Sequence, residues 1–235
     1  MTFNSVLIIG ASGRTGGQVV DQLSQVAAHR PNIFAFCRTP SKLDSKLRAK
    51  CDGVLTGNAL HSSDLERALI ESKADLVITS VGNGDNLKKT TTRTDNAKAL
   101  VDVMSRPQFQ HVQVIVVSSD GAGPTSIKVG FGIGKLIEFH LRHVLKDHTD
   151  QENTFLSNKR PSVRNRVRVV RPTALVDGKS NGQIVTFADT EKSPTIETDR
   201  TLLAKWIVSE IIAHPAGMKF GGSTFNVTCV KPSKQ

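Results

Sequence analysis

The sequence has a glycine-rich segment directly after its first apolar run. Gly10, Gly13 and Gly16 follow the spacing GxxGxxG between a strand-like run at 6–10 and a helix-like segment at 15–28. Glycines at a strand-to-helix turn let backbone amides approach a pyrophosphate, and the N-terminus of the following helix favours an anion. A tight turn that only packs closely is the alternative, but the position within an alternating β/α chain favours a nucleotide site. The residues expected to bind the dinucleotide here are Gly10, Ala11, Ser12, Gly13, Arg14, Thr15 and Gly16.

The end of the second apolar run, 33–37, indicates which dinucleotide the site takes. An acidic residue at this place would bind the ribose 2′-hydroxyl of NAD, but the chain continues with Arg38 and has no acid before Asp44. Arg38, together with Arg14 and Ser41, could instead hold a 2′-phosphate through charge-assisted hydrogen bonds. We therefore expect NADP(H) as cofactor. The alternative is that Arg38 is simply solvated.

Apolar runs and helical patterns alternate along the first 170 residues. The strand-like runs are 6–10, 33–37, 53–56, 76–80, 112–118 and 164–170. The helix-like segments are 15–28, 42–48, 62–71, 87–104 and 135–157. This alternation predicts the α/β class, with a Rossmann-type doubly wound parallel sheet that carries helices on both faces.

The pattern changes after the fifth strand-like run. A glycine-rich loop at 120–134 is long enough to be functional or mobile. Further on, a strand at 183–187, a helix at 201–214 and a last strand at 224–227 are expected. We predict one domain over 1–235, in which about 172–235 forms a small cap on the substrate side.

Composition narrows the classes of function. The 235 residues carry a net charge of +10, three cysteines at unrelated spacings and no tyrosine. No apolar run approaches the roughly 20 residues of a membrane-spanning helix, and the N-terminus lacks a signal-peptide pattern, so we expect a cytoplasmic protein without a membrane span. The cysteines predict neither a zinc site nor a disulfide framework, and no metal is expected. Aromatic residues make up 5 % of the chain, too few for a stacking surface, so nucleic acid is not an expected partner. The oligomeric state stays open.

Four segments together resemble a known family. They are VLIIGASGRTGGQVV, CRTPSKL, VIVVSSDGAG and VRVVRPTAL. As far as about Pro172 the chain resembles the atypical short-chain dehydrogenase/reductases, chiefly the NmrA-like NAD(P)-binding proteins and the biliverdin-IXβ/flavin reductases. The resemblance implies further cofactor contacts: Asn58 and Ala59 beside the adenine, Ser80, Val81 and Gly82 along the ribose and phosphates, and Ser118, Ser119, Pro172 and Thr173 at the nicotinamide end.

The sequence departs from this family at the catalytic unit. The family's Tyr-x-x-x-Lys pair cannot exist in a chain without tyrosine. The corresponding helix, around 146–153, resembles the Asp-Asp-His helix of the flavin reductase branch, with Asn153 at its later lysine position. The resemblance implies hydride transfer without a tyrosine, with solvent able to supply the proton. We therefore expect an NADPH-dependent oxidoreductase that reduces a flat conjugated small molecule, of the flavin, quinone or tetrapyrrole type.

Three residues are candidates for the chemistry. Ser118 or Ser119 could donate a hydrogen bond to a carbonyl or flavin edge of the acceptor, and His148 could titrate near neutrality. The alternative for His148 is a histidine on the helix surface or one that only supports the site. Two other functions stay open: a non-catalytic NmrA-like protein that senses NADP(H) and regulates a partner, and a non-redox enzyme on the same fold.

A basic run occupies 159–171, with six cations and no acid. Since side chains alternate along a strand, Arg164, Arg166 and Arg168 are expected to point to one side. They could form a surface for a polyanion. The preferred interpretation is a solvated edge strand that charge protects from unwanted pairing.

Overall fold

The computed structural model describes residues 3–157, 159–178, 181–213 and 221–231. The strands are β1 Ser5–Ile9, β2 Asn32–Cys37, β3 Gly53–Thr56, β4 Leu76–Thr79, β5 Gln113–Val117, β6 Val167–Pro172, β7 Ala174–Val176, β8 Gln183–Phe187, β9 Glu197–Asp199 and β10 Ser223–Val230. The helices are α1 Arg14–Ser24, α2 Ser45–Arg48, α3 Ser62–Ser72, α4 Thr92–Met104, α5 Ile133–Phe155, α6 Pro161–Arg164 and α7 Arg200–Ala213.

Eight strands form one sheet in the order β3-β2-β1-β4-β5-β6-β10-β8, while β7 and β9 pair separately. Neighbouring strands of the large sheet are parallel except β8, which is antiparallel to β10. The chain order reverses between β1 and β4, and in sheets of this kind a crevice for ligands opens outside the carboxyl ends of such strands. The predicted Rossmann-type doubly wound fold is confirmed.

The sheet is buried on both faces, as strand β1 illustrates. Leu7 and Ile9 pack with residues of α3, α4 and α5, whereas Val6 and Ile8 pack with residues of α1 and α7. Successive side chains of a strand point to opposite faces, so the continuous apolar run fills both cores. The sheet is therefore covered by helices on both faces.

Several predicted boundaries shift for local reasons. Helix α4 begins at Thr92 and not at 87. The side-chain oxygen of Asn86 accepts the N–H of Lys88 in the preceding loop, and that of Thr90 accepts the N–H of Thr92, the first residue of the helix. Strand β6 begins at Val167, since the residues up to Arg164 form the short helix α6.

The C-terminal third contributes to the main fold. Strands β8 and β10 belong to the large sheet, and α7 packs in the same core as α1. Residue 214, the predicted end of the last helix, lies outside the described residues. The substrate-side cap over about 172–235 stays a prediction. No described helix is both long and apolar enough to span a membrane.

Candidate functional site

The glycine turn brings the N-terminus of α1 against the ends of β1 and β4. Gly10 has a φ of +89°, and a Cβ there would lie 3.0 Å from the carbonyl oxygen of Ser80. A Cβ on Gly16 would lie 2.3 Å from the carbonyl oxygen of Gly10. The amide of Gly13 donates to that same oxygen at 2.9 Å. Position 10 therefore needs glycine because its φ is positive. Position 16 needs glycine because its Cα lies close to the backbone of Gly10.

Two cavities lie beside this turn. The first has a volume of about 410 Å³ and is lined by Gly10, Ser12, Gly13, Phe36, Cys37, Arg38, Gly57, Asn58, Ala59, Leu60, Ser80, Val81, Gly82, Asn83 and Thr92. The second has a volume of about 220 Å³ and is lined by Gly13, Arg14, Thr15, Ser80, Val81, Gly82, Gly84, Arg93, Val117, Ser118, His148, Leu175 and Arg200. Because they share a wall formed by Gly13 and the segment 80–82, they form a single cleft across the crevice.

Most residues predicted to bind the dinucleotide line this cleft. Ala11, Gly16 and Pro172 are buried behind its surface, and Ser41 is exposed on a turn beyond it. The pyrophosphate, adenine and nicotinamide contacts of individual residues stay predictions. The geometry that supports them is the glycine turn with an open volume on either side.

The two predicted serines separate. Ser118 lines the second cavity, whereas Ser119 and Thr173 line a third cavity of about 170 Å³ between the 120–134 loop, α5 and the segment 192–197. Ser119 donates to the carbonyl of Asp120 at 3.0 Å. Burial raises the pKa of Asp120, which also lines the third cavity. Ser118 and Ser119 therefore cannot be treated as one catalytic pair.

Ser118 belongs to a buried polar network that the sequence does not reveal. Its Oγ lies 2.5 Å from Oε1 of Glu152 and 3.4 Å from Nδ1 of His148. Glu152 in turn accepts from Arg171, at 3.0 Å from Nε to Oε1 and 2.7 Å from Nη2 to Oε2. The side chains of this ion pair are each 2 % exposed. Ser118 is thus anchored by a carboxylate that a guanidinium holds in place.

His148 is buried and its pKa is far below the ordinary value. Burial is the main cause, because it disfavours the charged imidazolium, and the nearby positive charge of Arg93 lowers the pKa further. The neighbouring side chain of Gln151 acts in the opposite direction and raises the pKa of His148. No described atom lies within strict hydrogen-bond geometry of the side-chain oxygen or nitrogen of Gln151. The expectation that His148 titrates near neutrality is therefore wrong, and it lines the cavity as a neutral imidazole.

The buried imidazole predicts a pH dependence of stability. Below about pH 6.5 the unfolded chain binds a proton at His148 that the folded protein does not, so the free energy of unfolding falls as the pH falls. We expect His148→Gln to make this fall shallower by up to about 1.4 kcal/mol per pH unit. Urea unfolding at several pH values measures the slope, with His140→Gln, on an exposed turn of α5, as control. Equal slopes in His148→Gln and wild type would contradict the buried neutral state.

The basic run is largely internal. Strand β6 lies between β5 and β10, so it is not an edge strand. Arg166 donates to three backbone carbonyl oxygens within 104–112 at 2.7–2.8 Å, Arg168 is buried and pairs with Glu210 at 3.0 Å, and Arg171 holds the network described above. The interpretation as a solvated edge strand is wrong, because β6 is internal and Arg166, Arg168 and Arg171 have internal partners. Lys159 and Arg160 are exposed, so a polyanion surface at that end of the run stays a prediction.

Two arginines of the second cavity were missed in the sequence. Arg93 begins the first turn of α4, where its side chain is 9 % exposed, 3.4 Å from Asp147 and 3.3 Å from Asn83. Arg200 begins α7 and pairs with Asp177 at 2.8 Å. A helix N-terminus disfavours a cation, so no general rule would have placed arginines there. They give one wall of the cavity a set of hydrogen-bond donors.

A family model for NAD(P)H-binding proteins matches residues 10–215. The chain belongs to this NAD(P)H-binding family. The match begins at the first glycine of the turn and extends through α7, so it includes both walls of the cleft. No curated protein matches the chain.

Solved structures with the same fold include several oxidoreductases. A short-chain dehydrogenase/reductase of wide type from Veillonella parvula in complex with NADP is 17 % identical, with a TM-score of 0.74 over 99 % of this chain and 96 % of that one. The anaerobilin reductase ChuY from Escherichia coli O157:H7 is 15 % identical, with a TM-score of 0.68 over 98 % of each chain. A Rossmann-fold NAD(P)-binding family protein from Shigella flexneri is 19 % identical, with a TM-score of 0.61 over 98 % and 94 %. At these identities the likeness shows a common fold.

Proposed function

We propose that the protein is an NADPH-dependent reductase of a flat conjugated small molecule. The observation that carries the proposal is the cleft, in which the glycine turn shares a cavity with Ser118 and His148. We assign the nicotinamide to this end of the cleft. NADPH would supply the hydride, and the acceptor would gain this hydride and one proton from solvent, leaving NADP⁺. The residues of the chain would bind and orient the two molecules, since the described cleft offers a neutral imidazole and no tyrosine for proton transfer.

The preference for NADPH is supported by the charges of the first cavity. Arg38 follows β2 and is exposed at the rim, and none of the described residues that line this cavity is acidic. A guanidinium can bind a 2′-phosphate through paired charge-assisted hydrogen bonds, whereas a ribose 2′-hydroxyl would find no carboxylate here. The complex of the Veillonella parvula protein with NADP agrees with this choice.

Replacing Arg38 with aspartate tests this assignment. We expect the Kd for NADPH to rise about 10- to 100-fold, because hydrogen bonds to charged groups contribute about 1.5–3 kcal/mol, while the Kd for NADH stays the same or falls. Lys42→Asp makes the same change of charge outside the cavity and serves as control. An equal loss of affinity for both cofactors would contradict a 2′-phosphate contact at Arg38.

The reductase proposal is tested by following NADPH oxidation at 340 nm with flavin mononucleotide, free flavins, simple quinones and linear tetrapyrroles. Turnover with any of them supports the proposal. Tight binding of NADPH without turnover would favour a non-catalytic NADP(H)-sensing protein, a second candidate that the missing tyrosine keeps open. Absence of NADPH binding would overturn both.

A further inference from the structure

We propose that the second cavity binds an amide group, a C(=O)–NH unit, with its N–H directed at the hydroxyl oxygen of Ser118. Glu152 is the positioning residue that makes Ser118 a hydrogen-bond acceptor toward the cavity. The identity of the ligand rests on the proposed function, but the direction of the hydrogen bond does not. The expectation that Ser118 donates to a carbonyl is thereby replaced.

The proton of Ser118 is committed to Glu152. The distance from Oγ to Oε1 is 2.5 Å, and both carboxylate oxygens of Glu152 already accept from Arg171. A carboxylate in that arrangement accepts and does not donate, so the serine hydroxyl must be the donor. Ser118 is 3 % exposed and lines the cavity. With its proton on the Glu152 side, the lone pairs of its oxygen are what it can offer to a ligand.

His148 does not use up these lone pairs. Its Nδ1 lies 3.4 Å from Oγ of Ser118, a contact at the outer limit of a hydrogen bond. A hydroxyl oxygen has two lone pairs, so at least one remains for a ligand even when the Nδ1–H of His148 takes the other. An N–H of a ligand is therefore the natural partner of Ser118.

Another part of the lining supplies donors. Arg14, Arg93 and Arg200 line the same cavity. Arg14 pairs with Asp85 and Asp177, and Arg200 pairs with Asp177, whereas Nε of Arg93 is buried without a hydrogen-bond partner among the described residues. Asp147 accepts the backbone N–H of Arg93 at 3.1 Å and that of Thr94 at 3.0 Å, so its carboxylate mainly caps α4. A carbonyl oxygen of the ligand fits this wall.

These two walls together select the ligand chemistry. A carboxylate or phosphate would satisfy the arginines but would face the lone pairs of Ser118, with the charge of Glu152 behind them. A quinone carbonyl would leave Ser118 without a donor, and an unsatisfied buried acceptor costs free energy. An amide satisfies both walls, with its oxygen toward the arginines and its N–H toward Ser118.

An amide can come from either of two molecules. The carboxamide of the nicotinamide ring is one source, and the C(=O)–NH edge of an acceptor such as a flavin or a lactam-bearing tetrapyrrole is the other. Matched ligands in which a methyl group replaces the NH2 or the hydrogen of the N–H distinguish them. The reduced 3-acetylpyridine analogue of NADPH carries a methyl ketone in place of the carboxamide, and N3-methyllumiflavin lacks the N3–H of lumiflavin.

The experiment measures four dissociation constants by fluorescence: for NADPH and its acetylpyridine analogue, and for lumiflavin and N3-methyllumiflavin in the presence of NADP⁺. We expect about a tenfold preference for the N–H ligand in one of the two pairs, which identifies the source. Because both pairs are read as binding, the result does not depend on turnover, so failure of the reductase proposal stays distinguishable from failure of this one.

Three variants locate the effect. Ser118→Ala is expected to reduce the preference to within twofold. Glu152→Gln is expected to reduce it as well, although Glu152 does not line the cavity. In this variant Arg171 holds the amide oxygen of the glutamine, so the NH2 group of the glutamine faces Ser118. Because that NH2 group donates to the oxygen of Ser118, the hydroxyl proton of Ser118 turns toward the ligand. Ser209→Ala, on the exposed face of α7, should leave the ratio unchanged. Wild-type ratios within twofold in both pairs, or a preference that survives Ser118→Ala, would overturn the proposal.

Discussion

Replacing Arg171 with methionine is expected to lower the free energy of unfolding by about 3–5 kcal/mol. The guanidinium is 2 % exposed and its charge faces the equally buried carboxylate of Glu152. Without the arginine, that carboxylate stays buried with only the hydroxyl of Ser118 as a described partner. Desolvation of an unpaired charge then opposes folding. The second partner of Arg171, Asp189, is 44 % exposed and can return to water, so it adds little to the loss.

Urea unfolding followed by circular dichroism measures the effect. The informative control is the double variant Glu152→Gln/Arg171→Met, in which no buried charge is left unpaired. We expect it to recover most of the lost stability, because replacing both members of a buried pair is commonly close to neutral. A loss below 1 kcal/mol in Arg171→Met would show that Glu152 is neutral or hydrated in the folded protein.

The sequence predicts those strands, turns and helices whose own residues form a recognisable pattern of apolar residues and glycines. The run 6–10 and the glycines that follow it specify a buried strand, a sharp turn and a helix within about ten residues, and all three are present. The run 112–118 is uniformly β-branched and apolar, which suits a strand covered on both faces. The short strands β7 and β9 were missed, because three residues are too few to show a period.

The polar site was less predictable because it depends on contacts between distant segments. Ser118 and Glu152 are 34 residues apart, and Glu152 and Arg171 are 19 apart. In the sequence, Arg171 belongs to a basic run, and only the parallel pairing of β5 with β6 turns its side chain into the core. Ser118 and Ser119 are neighbours in the sequence, which suggests that they act together. In the structure they line different cavities at the end of β5.

Replacing Gly16 with alanine is expected to raise the Kd for NADPH at least about 100-fold and to lower the free energy of unfolding by about 1–3 kcal/mol. The added Cβ would meet only backbone: the carbonyl oxygen of Gly10 at 2.3 Å, its carbon at 2.8 Å and Cα of Ala11 at 3.0 Å. None of these atoms can rotate away as the end of a side chain can. Helix α1 must therefore move off the turn, and its N-terminal amides would leave the position proposed for the pyrophosphate.

The neighbouring glycine is a matched control. A Cβ on Gly17 would meet Cδ1 of Leu47 at 2.9 Å, the end of a flexible side chain, and the carbonyl oxygen of Ala11 at an ordinary 3.5 Å. Gly17→Ala also gains up to about 1 kcal/mol of helix propensity, so we expect an unchanged or higher Tm and a Kd within threefold of wild type. Thermal unfolding with and without NADPH measures both variants. If Gly16→Ala bound NADPH as Gly17→Ala does, close approach at position 16 would not be what forms the site, and the glycine turn would be a packing feature.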